Sequence, residues 1–185
     1  MQVQAATRSD IPAIMRVERM EGYARLIGRW DAGQHATEIE NPSCRYLVAR
    51  DGTEVAGFAI LQGVGSPNHC VRLRRIAVEH AGCGVGSKLL RSVMQFCFEY
   101  LAAHRLELFV FIGNDRAYRT LPQNRICRGR RRSRSAPGPR WDFSIDAPDV
   151  HAPTGLDGAA LTPPRGGTPR RSAVIPGCRC LVVIA

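Results

Sequence analysis

The chain holds no stretch long and apolar enough to cross a bilayer: its strongest apolar runs, such as LELFVFI, are about a third of the ~20 residues a spanning helix needs. The opening residues, MQVQAATRSD, lack the apolar centre of a secretory signal. A soluble, cytoplasmic protein with no membrane partner is therefore expected. The seven cysteines form no CxxC pair and no Cys/His spacing of a metal site. Cys178 and Cys180 stand too close for an ordinary bridge, so free thiols are expected, with no disulfide framework and no metal. Lysine is nearly absent, with Lys88 alone against 25 arginines.

The formal net charge of +10 invites a nucleic-acid reading, but its distribution argues otherwise. Residues 1–120 carry 14 Arg and Lys88 against 12 acids. Residues 121–185 carry 11 Arg, no Lys, four Asp and no Glu, together with nine of the twelve prolines. Stretches such as RICRGRRRSRSAPGPR and LTPPRGGTPRR show neither a 3.6-residue nor a two-residue apolar period. The composition breaks near Leu121, and two segments follow: 1–120 as one globular unit and 121–185 as a disordered basic tail. Nucleic acid is expected only as a non-specific partner of that tail.

Before the break the chain punctuates itself. QVQAAT alternates like a strand, and SDIPAIMRVERM follows with Ser9 or Asp10 as N-cap and Pro12 in the first turn, where a missing N–H does no harm. From Glu21 to Pro42 the signal is mixed and predicts a short helix and a loop. CRYLVAR and EVAGFAILQ read as strands joined by Asp51-Gly52, a dipeptide suited to a tight hairpin. VRLRRIAV reads as a fourth strand, Ser87 to Ala103 as a helix and RLELFVFI as a fifth strand.

Between the fourth strand and that helix lies AGCGVGSKLL, with three glycines in five residues. The first turn of a helix has amides with no partner inside the helix, and its dipoles place partial positive charge there, so an anion binds readily. Glycines 82, 84 and 86 remove the Cβ atoms that would hold a phosphate off those amides, while Ser87 and Lys88 add a hydroxyl and a positive charge. A Walker loop is excluded because Lys88 follows Ser87 with no hydroxyl residue after it. A dinucleotide fingerprint is excluded because it follows the first strand of its unit, whereas three strands precede the one that leads into these glycines.

RIAVEHAGCGVGSKLL resembles the acyl-CoA-binding motif of the GNAT superfamily of N-acyltransferases, in which a strand is followed by Gln/Arg-x-x-Gly-x-Gly/Ala and a helix. Ala81 stands where Gln or Arg is usual. Downstream, VFIGNDRAY resembles the family's strand, Asn-x-x-Ala and helix, and the upstream elements are in family order. The resemblance covers residues 1–120. It implies an α/β fold with a mixed, mainly antiparallel sheet flanked by helices, and transfer of an acetyl group from acetyl-CoA to an amine or peptide N-terminus. It further implies that Ile76, Ala77 and Val78 pair their main chain with the pantetheine arm, that Gly82, Cys83, Gly84, Val85, Gly86, Ser87 and Lys88 hold the pyrophosphate, and that Asn114 binds the arm near Ala117. In such a fold the fourth and fifth strands splay, and the gap exposes strand amides that pantetheine satisfies. Candidates for the general base are His69, just before the fourth strand, and Glu40 in the acceptor loop, with Glu38 comparable. Neither the acceptor amine nor an oligomeric state is read from the sequence.

The resemblance stops after Thr120. The family continues into Tyr-x-Lys/Arg-Leu/Ile-Gly-Phe and two further strands, its tyrosine donating a proton to the departing thiolate; this chain continues LPQNRICRG. Written as degenerate codons and started at the second base of the Leu121 codon, Leu-Pro-Gln-Asn-Arg-Ile-Cys permits Tyr-Arg-Lys-Ile-Gly-Phe in the register the family needs. Residues 121–185 are accordingly expected to be an out-of-frame translation, the sheet to lack its last two strands, the fifth strand to be an exposed edge, and activity to be impaired. The alternatives are a non-catalytic acyl-CoA-binding fragment and a protein that binds nucleic acid through its basic tail.

Overall fold

Asp51-Gly52 closes the first hairpin as its chemistry requires, with Gly52 at φ +60°, between β2 (Cys44–Asp51) and β3 (Glu54–Gln62). The structure is a computed structural model that describes residues 1–23, 26–80, 82–111, 114–121, 126–132 and 140–147. Around that hairpin a mixed sheet is built from β1 (Gln2–Ala5), β4 (Cys70–Val78), β5 (Arg105–Phe111), β6 (Ile126–Arg132) and β7 (Arg140–Asp146), in the order β1-β2-β3-β4-β5-β7-β6. Every pairing is antiparallel except that of β4 with β5.

Helices cover both faces. The expected N-cap and proline open α1 (Ile11–Glu18), with Asp10 at the cap, and α2 (Ala32–Glu40) begins with a capping box in which the Asp31 side chain accepts from Gln34 N–H. α1 and the segment that follows it lay Ile14, Val17, Tyr23 and Ile27 on Tyr46, Val48, Phe58 and Ile60. On the opposite face α3 (Val85–Gln95) sets Leu89, Leu90, Val93 and Met94 against Leu61, Leu73, Ile76 and Leu108. Each such buried side chain contributes roughly 1.5–3 kcal/mol, which is why central strands read as continuous apolar runs and not as an alternation. The long helix expected to Ala103 ends sooner: α3 passes into a π-helical turn over Phe96–Tyr100.

The expectation of a sheet without its last two strands fails. α4 (Asp115–Thr120) is followed by β6 and β7, so the sheet has the two strands it was expected to lack. β7 pairs with β5 along its whole length, from Arg105↔Asp146 to Phe111↔Arg140, so β5 is not an edge. The physical reason lies in RWDFSID, which alternates strictly: Phe143 and Ile145 are buried in the core that α3 covers, and Ser144 and Asp146 are half-buried. The expected tail from residue 148 onward, with Cys178 and Cys180, lies outside the described residues, as does Ala81. No described helix is long and apolar enough to cross a membrane, and among the described residues no cluster could hold a metal ion.

Candidate active site

The one parallel pairing of the sheet is also short. β4 and β5 pair from Cys70↔Arg105 to Leu73↔Leu108, and from there Arg74–Val78 and Phe109–Phe111 diverge. A bulge marks the parting: against β3, Ile60 pairs with Arg75 but Leu61 with Leu73, leaving Arg74 as the extra residue. A bulge bends and twists its strand. It also resets the side-chain alternation, so that Leu73 and Ile76, three residues apart, reach the same core.

The gap between the strands is lined by backbone groups that turn away from β3. Glu79 N–H donates to Ala56 O at 2.8 Å, and in an antiparallel ladder alternate residues turn to opposite sides. Arg75 and Ala77 therefore turn their peptide groups to β3, while Ile76 and Val78 turn theirs into the gap. Of the three residues expected to meet the pantetheine arm, two face the gap and Ala77 does not. Gly57 makes the neighbouring approach possible, since a Cβ there would stand 2.8 Å from Ala77 O.

Beyond β4 the chain turns through Gly82 (φ +86°) and Gly84 (φ +76°), conformations that side chains rarely adopt. Among the described residues no atom lies within 4 Å of where a Cβ of either would stand, so the loop is bare toward them on its outer side. Gly84 is the N-cap of α3, and the helical ladder opens with Lys88 N–H on Gly84 O at 3.1 Å. The amides of Val85, Gly86 and Ser87 precede that bond and point out of the helix end. Gly86 and Ser87 are buried, Val85 packs on the core, and Gly82, Cys83 and Lys88 are exposed. Across the gap Asn114, 5% exposed, caps α4: its Oδ1 accepts from Ala117 N–H at 3.1 Å, and Ala117 is fully buried. The structure thus gathers the gap, the glycine turn and Asn114 at the carboxyl end of β4.

The candidate bases stand elsewhere. His69 lies at the opposite end of the nine-residue β4, in left-handed backbone (φ +48°), its ring edge-to-face with His104 at 5.1 Å. Glu40 forms a surface ion pair with Arg8 at 2.9 Å, and Glu38 accepts from Gln62 Nε2 at 3.1 Å. Cys44, buried beside Glu38, has its thiol pushed up to about 12 by burial first and the carboxylate second. Glu79, at the mouth of the gap, is paired with Arg16, whose pKa that hydrogen bond raises.

Two features were not anticipated from the sequence. Tyr23 reaches from the segment after α1 to the gap, where its hydroxyl donates to Val78 O at 2.5 Å and accepts from Val78 N–H at 3.4 Å. Burial raises its pKa, against the opposing effects of the Val78 carbonyl and of Arg116 on α4. The second is a buried charge network. Glu18 is fully buried and accepts from Arg75 Nη1 at 2.8 Å through one oxygen, while the other lies 3.2 Å from His35 Nε2. His35 Nδ1 is 3.2 Å from the Tyr46 hydroxyl, and the Arg75 guanidinium lies 3.9 Å over the Trp30 ring. Burial first lowers the Arg75 pKa, and Glu18 opposes it.

Comparison with known proteins fits this geometry. The model of the acetyltransferase (GNAT) family matches residues 11–123. Among solved structures, a point mutant of a spermidine N-acetyltransferase from Vibrio cholerae superposes with a TM-score of 0.67 at 16% identity, over 79% of this chain and 95% of that one. A ribosomal-protein-alanine N-acetyltransferase from Brucella melitensis gives 0.66 at 18% identity, over 79% and 99%. No curated protein matches the chain.

Proposed function

Because the chain belongs to the GNAT acetyltransferase family, we propose that it transfers an acetyl group from acetyl-CoA to an amine by direct attack on the thioester. The observation that carries this reading is the coincidence, at one end of β4, of a strand gap with outward peptide groups and a glycine turn at a helix N-terminus. The outward amides of residues 85–87, with Lys88, hold the pyrophosphate. Ile76 and Val78 pair with the pantetheine amide, and Asn114 closes the far wall. The Ile76 N–H is positioned to polarise the thioester carbonyl. The amine nitrogen then bonds the carbonyl carbon, the C–S bond breaks, and the thiolate takes a proton as the amine loses one.

The acceptor is an amine or a peptide N-terminus, the kinds of group named for the two structural neighbours. Transfer is slow in this chain, because Leu121, fully buried, stands where the resemblance to the family's motif implies a tyrosine proton donor. The codons permitted by residues 121–127 support a shifted frame from that point, which the intact mass of the protein made from its native gene would test. The transfer reading is tested by following thiol release from acetyl-CoA against amino acids, peptides with free N-termini and polyamines. Acceptor-dependent release is expected with at least one class. No release with any, from a folded sample that binds acetyl-CoA, would leave a binding fragment.

Tyr23 holds the Val78 groups that the arm needs, so acetyl-CoA must displace its hydroxyl. Tyr23→Phe is expected to tighten acetyl-CoA binding several-fold while costing about 1–3 kcal/mol of stability in the free protein, whose Val78 groups lose their partner. Titration calorimetry and a urea melt check the two signs; weaker binding would show instead that Tyr23 is a ligand contact.

A further inference from the structure

Arg75 is 2% exposed, and its guanidinium carries five N–H donors. Among the described residues one hydrogen bond takes it up, Nη1 to Glu18. Buried polar groups are rarely left this short of partners. Gly28 supplies an independent observation. It is exposed, its backbone needs no positive φ, and among the described residues the one atom within 4 Å of where its Cβ would stand is Arg75 Nη2 at 3.2 Å. Glycine at this position thus leaves room beside an unsatisfied guanidinium edge. Trp30 covers the guanidinium face, so the edge is the side left for a ligand.

The charges facing this point fix the sign of what fits. Glu18 is used on both oxygens, by Arg75 and His35, and offers nothing to a cationic amine. Arg74, the bulge residue next to Arg75, is half-buried and has no acidic partner among the described residues. Glu38, the further acid facing Tyr46, accepts from Gln62 Nε2. Coenzyme phosphates do not supply the missing anion, since the glycine turn lies beyond Ile76–Val78, ~10 Å further along the strand at about 3.3 Å per residue.

Resting on the acetyl-transfer reading, we infer that Arg75, with Arg74 beside it and Gly28 leaving access, selects an acceptor amine that carries a carboxylate near its nucleophilic nitrogen, as an α-amino acid does. The bulge is also where β4 and β5 part. A carboxylate held there presents the nitrogen one carbon away toward the thioester in the gap. A polyamine would meet two arginines instead.

The test uses the full chain, with and without CoA, and the L-α-amino acids paired with their carboxamides, spermidine being included. Binding is read by titration calorimetry and transfer by thiol release. At least one amino acid is expected to exceed its carboxamide tenfold or more in affinity and in kcat/KM. Arg75→Gln leaves Glu18 buried without its partner and risks unfolding, so the decisive variant is Gly28→Val, which stands a side chain against Nη2 and keeps every charge. It is expected to bring the carboxylate and carboxamide within twofold while acetyl-CoA affinity stays unchanged, and Arg74→Gln to narrow the difference in part. Equal use of acids and amides by the wild type, an unaltered preference in Gly28→Val, or a preference for spermidine would overturn the inference. Failure to bind acetyl-CoA with carboxylate selectivity intact would remove the transfer reading and keep the anion site; turnover with spermidine alone would do the reverse.

Discussion

Removing one base at the Thr120/Leu121 junction, so that the chain continues Tyr-Arg-Lys-Ile-Gly-Phe, is expected to raise acetyl transfer by about 10²–10⁴-fold, the range typical of a single general acid. The reason is local. The thiolate of CoA departs more readily when a positioned phenol protonates it, and position 121 follows directly on α4, whose cap Asn114 borders the gap. The present Leu121 contributes a fully buried apolar side chain and no proton. The shift also rewrites the residues of β6 and β7, so Leu121→Tyr in the unshifted chain, which keeps both strands, separates the proton donor from the strands. Thiol release by the two proteins with the same acceptor measures it. Equal rates would show that the reaction does not use a tyrosine there.

The second large effect concerns stability. Glu18→Ala is expected to cost about 3–5 kcal/mol, because it leaves the Arg75 charge buried without its carboxylate. His35 loses its partner in the same step. The paired variant Glu18→Leu with Arg75→Met, which removes both charges and keeps side-chain bulk, is expected to lie within ~2 kcal/mol of the wild type, since buried ion pairs return little more than their desolvation cost. Urea denaturation of the three proteins separates the cases. A single variant as stable as wild type would mean that Arg75 finds another partner.

These residues also show why part of the molecule could be read beforehand and part could not. The Asp51-Gly52 hairpin, the Asp10 and Pro12 start of α1, and the strand, glycine turn and helix from Val71 onward rest on local chemistry, and local chemistry is visible in sequence. Arg74-Arg75 in the middle of an apolar strand breaks the two-residue period, and that break is the signature of the bulge at which β4 leaves β5. Glu18, four residues after Ile14 on the buried stripe of α1, was the other sign, but its partners come from 17 and 57 residues away. Tyr23 belongs to a segment without period, and only tertiary packing brings it to Val78. The alternation of RWDFSID was present and was overridden by the composition of its neighbours. His69 was placed by its nearness in sequence to β4, whereas strand length separates it from the working end.

Calorimetric titration of the full chain with acetyl-CoA, with two glycine variants alongside, decides whether the gap between β4 and β5 and the turn at Gly82–Lys88 form an acetyl-CoA site. Gly84→Ala keeps the open space at the price of a strained positive φ, costing roughly 1 kcal/mol, and is expected to retain binding. Gly84→Glu sets a carboxylate where the pyrophosphate belongs and is expected to abolish it. The wild type is expected to bind one equivalent of acetyl-CoA, more weakly as salt rises. No heat of binding at millimolar ligand from a folded sample, or undiminished binding by Gly84→Glu, would contradict the assignment.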